Sequence, residues 1–380
     1  MQRKISCVVT AIAWLMVTAC LHAAEDAVIF PLPFYEEALI VPVTINGDEH
    51  LFLLDSGSSM HVFHSTFADS LGEPLGERRS SENGGARFEY QAFMPPEAML
   101  GSMPMPRNSP VACVDLSTPR AALGREISGI LGMPLFAACI IQLDFDKREI
   151  RLMPGSVQPS KEWGEPVSVV FSESDLPHVS AHFSQYENER CMVDTGATGS
   201  LSLRKEVFDY LCGLRTITSL PKVQVATIAG IKDAQRGVLD EFELALKTHR
   251  NLIVNDGGSK SFLGLKFLRR YLVTFDLGRG QIYFLPGFDY ERPDEESIIG
   301  IGMLRRDKKT VVEAVYPDSR ATEAGFRIGD ELLSIEGVDV FGKPIAEIVW
   351  MLRAPAEANG TKPLSIERNG EHLTLHLKDK

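Results

Sequence analysis

Short apolar runs separated by polar turns dominate this chain and predict a mainly β structure. Residues 51–54 and 191–193 are continuous apolar runs, which is typical of buried strands. Each run leads directly into an Asp-Ser/Thr-Gly turn. Near the C-terminus, residues 311–315 alternate like a strand and residues 345–352 have helical periodicity. We therefore expect mostly strands, followed by a small α+β part.

The chain also contains an internal repeat. Residues 129–155 align without a gap with residues 261–287, at an offset of 132. Upstream, residues 51–59 align with residues 190–198 at an offset of 139. In each half, a Leu-Gly pair in an apolar segment follows the Asp-Ser/Thr-Gly turn, 77 or 70 residues later. The repeat predicts two copies of a unit of about 130 residues.

Each copy delivers an aspartate at the end of a buried strand, Asp55 in the first and Asp194 in the second. A pseudo-two-fold axis would bring the two turns together, so that the aspartates face each other. Two carboxylates a few ångströms apart hold one proton between them. The ionised oxygen can then take a proton from water while the protonated partner polarises a carbonyl. Such a pair hydrolyses an amide without a metal or a cofactor, and we expect neither.

The two halves resemble the pepsin-like and retropepsin-like aspartic proteases, whose signature is Asp-Thr/Ser-Gly followed by an apolar-apolar-Gly segment. Residues 55–59 and 194–197 match the first element, and residues 129–132 and 262–264 match the second. The stretch 267–276 resembles the one after the second such glycine in that family. The resemblance implies a bilobal acid-protease fold with a pseudo-two-fold repeat, and an aspartic endopeptidase activity.

By this resemblance, Asp55 and Asp194 activate water and protonate the departing amine. The Ser56 and Thr195 hydroxyls hydrogen-bond across the two turns and hold them rigid, and Gly132 and Gly264 pass behind the turns and support them. The remaining support residues are the turn glycines, Gly57 and Gly196, which suit a positive φ or a close approach of another segment.

A flap that covers substrate is expected within residues 78–90, where Asn83-Gly84-Gly85 is a hairpin-tip signal and Phe88 and Tyr90 are candidate substrate contacts. In the second half, Ala229-Gly230 is the matching candidate tip. The alternative interpretation is a pair of surface turns with core aromatics.

After residue 286 the pattern changes. Residues 289–296 form a charged, proline-containing linker, and the eighty or so residues that follow resemble a PDZ domain of the bacterial envelope-protease type. The most specific part of this resemblance is residues 319–331. It implies that the loop of Gly300, Ile301, Gly302 and Met303 receives a peptide carboxylate on backbone N–H groups while the peptide adds as a strand. An ordinary glycine-containing turn is the alternative.

The first 24 residues indicate export. Arg3 and Lys4 precede seventeen uncharged residues, 5–21, and a small-residue exit follows. Cleavage after Ala23 or Ala24 would release the protein, whereas residues 17–20 resemble a lipobox that would put a lipid on Cys20. An uncleaved anchor is the third option. We expect a location in the periplasm or cell envelope, tethered to a membrane if Cys20 is lipidated.

Several other kinds of chemistry are disfavoured. The net charge of −12 and the lack of a long basic block make nucleic acid an unexpected partner. No Gly-x-Ser-x-Gly motif marks a serine nucleophile. His178 and His182 are spaced like zinc ligands on a helix, but Pro177 and the alignment favour a strand. The four cysteines beyond the leader lack C-x-x-C spacing, and either local disulfides or single buried thiols are compatible with Cys113, Cys139, Cys191 and Cys212.

The sequence thus predicts an export signal (1–24), two aspartic protease lobes (25–157 and 158–289), a linker (290–297) and a PDZ domain (298–380). The predicted function is hydrolysis of peptide bonds in extended polypeptides, for which a monomer suffices. The PDZ domain would recruit polypeptide C-termini, or dock intramolecularly and regulate access. The alternative is a catalytically silent peptide-binding or scaffold protein of the cell envelope.

Overall fold

The computed structural model describes residues 27–32, 38–81, 87–183, 186–227, 230–245, 247–294, 299–356 and 360–379. The predicted export signal with Cys20, the hairpin-tip residues Gly84 and Gly85, and Ala229 lie outside the described residues. Within the described part, no helix is long and apolar enough to cross a membrane.

Strands make up most of the regular structure, as the apolar pattern predicts. Those of the first half are β1 (Val28–Pro31), β2 (Ile40–Ile45), β3 (Asp48–Leu54), β4 (Val62–His64), β5 (Gly76–Ser81), β6 (Arg87–Phe93), β7 (Ala98–Leu100), β8 (Met103–Pro104), β9 (Val111–Val114), β10 (Gly129–Leu131), β11 (Cys139–Asp144) and β12 (Glu149–Pro154). Those of the second half are β13 (Glu165–Ser168), β14 (Val170–Phe171), β15 (Pro177–Phe183), β16 (Tyr186–Val193), β17 (Leu201–Leu203), β18 (Ile217–Thr227), β19 (Gly230–Leu244), β20 (Lys247–Asp256), β21 (Ser261–Leu263), β22 (Tyr271–Asp276) and β23 (Gln281–Pro286). The C-terminal part contains β24 (Ile301–Arg306), β25 (Lys309–Val315), β26 (Glu331–Ile335), β27 (Val338–Asp339), β28 (Thr361–Arg368) and β29 (Glu371–Lys378).

Among the residues that the structure describes, helices are few and short. They are α1 (Ser117–Leu123), α2 (Met133–Ala138), α3 (Lys205–Gly213), α4 (Leu265–Leu268), α5 (Arg320–Ala324) and α6 (Ile345–Arg353), with single 3-10 turns at Ser65–Ser70, Lys161–Trp163 and Leu277–Arg279. The predicted helical periodicity of residues 345–352 corresponds to α6, and the alternation of residues 311–315 corresponds to the end of β25.

The two halves form sheets with the same strand order. The first sheet runs β5-β6-β9-β4-β10-β3-β2-β7-β8, and the second, read from its far edge, runs β18-β19-β20-β17-β21-β16-β15-β14. The strands from β18 to β15 each have a counterpart in the first sheet, so that β16 matches β3 and β21 matches β10. The repeat in the sequence is therefore a repeat in the fold.

A third sheet, which we call the shared sheet, joins the halves. Its order is β1-β12-β11-β22-β23-β13, with three strands from each half and an antiparallel contact between β11 and β22 at its centre. The central strands are buried on both faces, and most of their side chains are apolar, including Ile141, Leu143 and Phe275. One apolar core extends through both halves. Burying this core is the main stabilising contribution of the bilobal part.

The segment after β23 is held against the second half by a buried arginine. Arg270 donates to the Tyr290 carbonyl at 3.2 Å and forms an ion pair with Asp294 at 2.8 Å. The second oxygen of Asp294 accepts the Ile253 N–H at 2.9 Å. Both charged side chains are almost inaccessible to solvent, so removal of either one would leave the other buried without its partner.

The C-terminal part forms a separate sheet with the order β24-β25-β26-β28-β29, and β27 pairs with β26. Its own apolar core includes Val312, Ile348 and Leu364. Helix α5 begins at an N-cap, where the Ser319 hydroxyl accepts the Thr322 N–H, and ends at Gly325 with a φ of 87°. The mainly β bilobal fold with a small α+β domain behind it confirms the predicted fold class.

Candidate active site

Asp55 and Asp194 occupy equivalent positions directly after β3 and β16. In the first half, β10 pairs in parallel with β3, and the Asp55 N–H donates to the Leu131 carbonyl at 2.9 Å. In the second half, β21 pairs in parallel with β16, and the Asp194 N–H donates to the Leu263 carbonyl at 2.9 Å. Each aspartate is thus fixed by the strand that carries the Leu-Gly segment of its own half.

The two turns are connected by reciprocal hydrogen bonds. The Ser56 N–H donates to Thr195 Oγ1 at 2.9 Å, and the Thr195 N–H donates to Ser56 Oγ at 3.0 Å. Each hydroxyl also donates across the interface, Ser56 to the Val193 carbonyl at 2.6 Å and Thr195 to the Leu54 carbonyl at 2.9 Å. Both side chains are fully buried. The hydroxyls predicted to connect the turns are therefore in place to do so.

Gly57 and Gly196 permit the two aspartates to meet. A Cβ on Gly57 would lie 2.6 Å from Asp194 Cγ, and a Cβ on Gly196 would lie 2.4 Å from Asp55 Cγ. Since carbon atoms in contact stand about 3.5–4.0 Å apart, any side chain at either position would overlap the opposite carboxyl group. The glycines are required for this close approach, and neither has a positive φ.

The carboxyl groups are held by backbone donors and by each other. Asp55 Oδ1 accepts the Gly57 N–H at 2.8 Å, and Asp194 Oδ1 accepts the Gly196 N–H at 2.9 Å. The two side chains also share a hydrogen bond, which requires one of them to be protonated.

Burial raises the pKa of both carboxyl groups. For Asp55, the Gly57 N–H opposes this effect. The pKa of Asp194 is raised well above its ordinary value, first by burial and then by the adjacent charge of Asp55. Two carboxyl groups in contact share one proton, so the pair offers a proton donor and a proton acceptor side by side.

Gly132 and Gly264 lie against the Asp-Ser/Thr-Gly turns. A Cβ on Gly132 would lie 2.3 Å from the Met60 carbonyl oxygen, and one on Gly264 would lie 2.4 Å from the Gly199 carbonyl oxygen. Residues next to these glycines bind the turns directly, since the Met133 N–H donates to the Ser58 carbonyl at 2.8 Å and the Leu265 N–H to the Ala197 carbonyl at 2.7 Å. The structure places both glycines where a supporting segment is expected.

His61 is a supporting residue that the sequence interpretation missed. Its Nδ1 accepts the Gly132 N–H at 3.1 Å, while the equivalent N–H of Gly264 donates to the Ser200 carbonyl. Ser200 is the residue aligned with His61 at the offset of 139, so the two halves support their turns differently. Burial lowers the pKa of His61 to about 4, and the imidazole is neutral at pH 7. The mismatch between these aligned residues is the signal that could have identified it.

The candidate flap corresponds to the β5–β6 hairpin, whose counterpart in the second half is the β18–β19 hairpin. Tyr90 lies on β6 but is 9% exposed and packs with Leu53, Val62 and Ile130. It therefore contributes to the core of the first half, in agreement with the alternative interpretation of the flap aromatics. Gly230 begins β19 at the other hairpin.

The loop Gly300–Met303 lies at the start of β24 and is anchored from behind. The Tyr316 N–H donates to the Gly300 carbonyl and the Ala321 N–H to the Ile299 carbonyl, both at 2.8 Å. Gly300 has a φ of 70°, and a Cβ there would lie 2.1 Å from Ser319 Cβ. A glycine is therefore needed where this loop packs on the start of α5.

The remaining candidate residues are two histidines on a strand and four free cysteines. His178 and His182 lie on β15, a strand as the alignment indicates. Cys113, Cys139, Cys191 and Cys212 are free thiols, which agrees with the single-thiol alternative. In the described ranges, no group of three or more histidine, cysteine or acidic residues is arranged to hold a metal ion.

Two family models match the chain. Residues 41–135 match the aspartyl protease model, and residues 311–359 match the PDZ domain model. The chain resembles an aspartyl protease joined to a PDZ domain. The aspartyl protease match includes Asp55 and the Gly132 segment, which are the elements that carry the resemblance in the first half.

Similar proteins extend this comparison. A probable CtpA-like serine protease of Staphylococcus haemolyticus is 29% identical over 80 residues, which are 21% of this chain and 16% of that protein. The aspartic proteinase from Irpex lacteus is 14% identical with a TM-score of 0.44, covering 69% of this chain and 98% of the proteinase. Basic 7S globulin from soybean is 12% identical with a TM-score of 0.41, covering 68% of this chain and 94% of the globulin. The chain thus spans less than a fifth of the length of its curated relative.

Proposed function

We propose that this chain is an aspartic endopeptidase in which Asp55 and Asp194 activate water between them. The observation that carries the proposal is the reciprocal pair of Ser56–Thr195 hydrogen bonds, which holds two carboxyl groups in mutual contact at the junction of the two halves. Two desolvated carboxyl groups that share one proton form an acid and a base at the same place.

In the proposed reaction, a water molecule lies between the two carboxyl groups. Ionised Asp55 removes a proton from the water as its oxygen attacks the peptide carbonyl carbon, and Asp194 donates its proton to the carbonyl oxygen. The resulting tetrahedral diol collapses when the amide nitrogen receives the proton held by Asp55 and the C–N bond breaks. A hydroxyl proton returns to Asp194, so that the pair ends with one proton as it began.

An extended polypeptide is the proposed substrate. Each half contributes one aspartate and one hairpin, β5–β6 or β18–β19, and a substrate that crosses the junction would contact both halves. Because both aspartates belong to one chain, a monomer suffices. The PDZ domain is proposed to bind polypeptide C-termini through the loop Gly300–Met303, with the peptide added along β24.

The chemistry is proposed to be of the aspartic type, although one relative is named as a probable serine protease. That similarity extends over 80 residues, 21% of the chain. The carboxyl pair, in contrast, is formed by residues from both halves and is accompanied by a complete set of supporting contacts.

The test is cleavage of a diverse peptide mixture between about pH 3 and 8, by the wild type, Asp55→Asn and Asp194→Asn. We expect cleavage by the wild type alone, and no inhibition by a serine-directed fluorophosphonate. Equal cleavage by all three proteins, or loss of activity with the fluorophosphonate, would refute the aspartic mechanism. No cleavage by any protein, with the fold intact and any activation step excluded, would favour a silent peptide-binding protein.

Export and lipidation are also proposed, on the basis of the N-terminal sequence. In a bacterial host with lipoprotein processing, the wild type should incorporate labelled palmitate and fractionate with membranes, whereas Cys20→Ala should not incorporate the label. A soluble wild-type protein cleaved after Ala23 or Ala24 would exclude the lipid anchor and leave export intact.

A further inference from the structure

We call the region between β24 and α6, where PDZ domains receive a peptide, the PDZ groove. These elements contact each other, and β24 is at the edge of the sheet in the part of the chain that the structure describes. In PDZ domains an added peptide pairs with such an edge strand. The groove begins at the loop Gly300–Met303, and its far end lies at Arg305, where Arg305 Nη1 donates to the carbonyl of Gly342 just before α6.

Helix α1 of the first protease half packs against both sides of this groove, β24 and α6. It ends at Gly124, which is buried and has a φ of 63°. A Cβ on Gly124 would lie 2.7 Å from the backbone nitrogen of Ile345 and 3.3 Å from the carbonyl carbon of Pro344. The end of α1 therefore contacts the PDZ backbone directly at the start of α6.

An ion pair lies beside this contact. Arg305 donates to Glu126 at 2.8 Å, and the Arg305 side chain is only 10% exposed. Arg120 of α1 also contacts Glu126. Because Arg305 lies near the end of β24, the contact covers the far end of the groove, and the loop that would hold a carboxylate lies at the opposite end.

We propose that α1 closes the far end of the PDZ groove, and that a polypeptide C-terminus occupies the whole groove only by displacing α1. Arg305 lies four residues beyond Ile301, the first residue of β24, and a strand advances about 3.3 Å per residue. Only the last three or four residues of a peptide therefore fit between the carboxylate loop and Arg305. Residues further upstream meet α1. This inference rests on the peptide-binding part of the proposed function and is independent of catalysis.

Displacement of α1 would also affect the protease part, because α1 packs against β18 as well. This strand belongs to the β18–β19 hairpin, the counterpart of the candidate flap in the second half. One short helix thus contacts the PDZ groove on one side and a protease hairpin on the other. Occupation of the groove by a long peptide is therefore expected to change the hairpin as well.

Gly124→Ala tests the closed arrangement, and Gly280→Ala is its matched control. Gly280 has a φ of 68° and also ends a short helix, but a Cβ there meets nothing within 4 Å. Both variants carry the same backbone strain, and only Gly124→Ala overlaps the PDZ domain. We expect amide hydrogen exchange in β24 to be faster by about tenfold or more in Gly124→Ala, with no change in Gly280→Ala.

Arg305→Glu gives the reciprocal measurement from the PDZ side. It should accelerate exchange within α1, nearly two hundred residues away in the sequence. Unchanged exchange in β24 for Gly124→Ala, together with unchanged exchange in α1 for Arg305→Glu, would overturn the proposed contact even if one variant were poorly folded.

Peptide-binding measurements test whether a long peptide must displace α1. Fluorescein-labelled peptides of four and ten residues, with randomised apolar C-termini, are titrated into full-length Asp194→Asn protein with and without Gly124→Ala. We expect Gly124→Ala to strengthen binding of the ten-residue peptides at least about tenfold and to have little effect on the four-residue peptides, with C-terminal amidation abolishing binding of both. Equal affinities in the two backgrounds would overturn the closure of the groove by α1, whereas no binding in either background would overturn the proposed peptide binding and the closure with it. Because Asp194→Asn removes one catalytic carboxyl group, these outcomes do not depend on cleavage.

Discussion

The Gln142 side-chain amide donates to the Thr274 hydroxyl at 2.9 Å, and the two residues are one repeat apart, 132 positions. They face each other across the central β11–β22 pair of the shared sheet. Ser56 and Thr195, separated by 139 positions, form a second pair of equivalent residues in mutual contact. Contacts between equivalent residues can occur only on or near the pseudo-two-fold axis. The axis therefore passes through the shared sheet and the two Asp-Ser/Thr-Gly turns, and Asp55 and Asp194 lie symmetrically about it.

The shared proton predicts a bell-shaped pH dependence of cleavage. Activity should fall at low pH as the pair takes up a second proton, and at higher pH as it loses the shared proton, because burial raises both pKa values. Either Asp→Asn variant should lose activity by at least about 100-fold. Initial cleavage rates of one identified peptide across the pH range measure the profile. An activity that rises steadily above neutral pH would contradict the shared-proton model.

At neutral pH, the buried carboxyl group of Asp194 lowers the free energy of unfolding of the protein. When the pKa of a carboxyl group is raised in the folded state, the protein loses stability as the pH rises from the ordinary pKa of that group to the raised value. The loss is about 1.4 kcal/mol per pKa unit. Asp194→Asn should therefore have a larger free energy of unfolding than the wild type at pH 7, and the difference should shrink at pH 3. Urea denaturation at both pH values measures this difference. A variant that is less stable at pH 7 would show that the charge repulsion is outweighed by other contacts.

We expect activity and stability to depend on the Thr195 hydroxyl and much less on its methyl group. Thr195→Ala leaves the buried Ser56 N–H without its acceptor, which costs about 1–3 kcal/mol, and loosens the relative position of the carboxyl groups. Thr195→Ser keeps the hydroxyl and is the matched control. We expect kcat to fall much more in Thr195→Ala than in Thr195→Ser, with unfolding free energies in the same order. Equal effects of the two substitutions would mean that the methyl group matters instead.

Gly132 should not tolerate a side chain, whereas Gly155 should. A Cβ on Gly132 overlaps the Met60 and Ser58 carbonyl oxygens, and a Cβ on Gly155 meets nothing within 4 Å. Gly132→Ala should cost about 1–3 kcal/mol of unfolding free energy and reduce activity, because the overlap displaces the turn that carries Asp55. Gly155→Ala should match the wild type in thermal denaturation and in cleavage. Normal activity of Gly132→Ala would exclude the supporting role of this segment.

His61 predicts a loss of stability in acid. Its pKa is lowered to about 4 by burial, so the unfolded state binds a proton more readily between about pH 6.5 and 4. The free energy of unfolding should fall over this range by up to about 3 kcal/mol from this residue. His61→Asn should reduce the fall, whereas His372→Asn, at an exposed position, should not. Urea denaturation at pH 7 and 5 measures the effect, and an identical pH response in His61→Asn would rule out this contribution.

The repeat and the paired motifs were sufficient to predict the fold class and the meeting of Asp55 with Asp194. Both depend on short-range signals, namely an apolar strand, an Asp-Ser/Thr-Gly turn and a Leu-Gly segment, that occur twice. The contact of His61 with Gly132 leaves no repeated signal of this kind, because it joins residues 71 positions apart and has no equivalent in the second half, and only the mismatch with Ser200 marks it. Tyr90 shows a related difficulty, since an aromatic residue in a hairpin has the same sequence pattern whether it faces substrate or the core.

The packing of α1 against the PDZ domain could not have been predicted from the sequence either. Gly124 at the end of a helix is explained locally by its positive φ, and nothing in the surrounding residues indicates that Ile345 lies against it. Contacts between parts that fold separately depend on surface shape, which local patterns do not encode. Arg305 and Glu126 are likewise an unremarkable pair of charges until the structure brings them together.

The shared sheet has a consequence for any attempt to divide the protein. Expressed separately, residues 27–157 and 158–294 would each end in half of that sheet, with β11 or β22 as an unpaired edge. An exposed edge of apolar strands recruits a matching strand, and the matching strand of each fragment is on the other. Mixed fragments should therefore reassemble by complementation. Fragments kept apart should self-associate through the same edge, and the first-half fragment would then place Gln142 opposite a second Gln142.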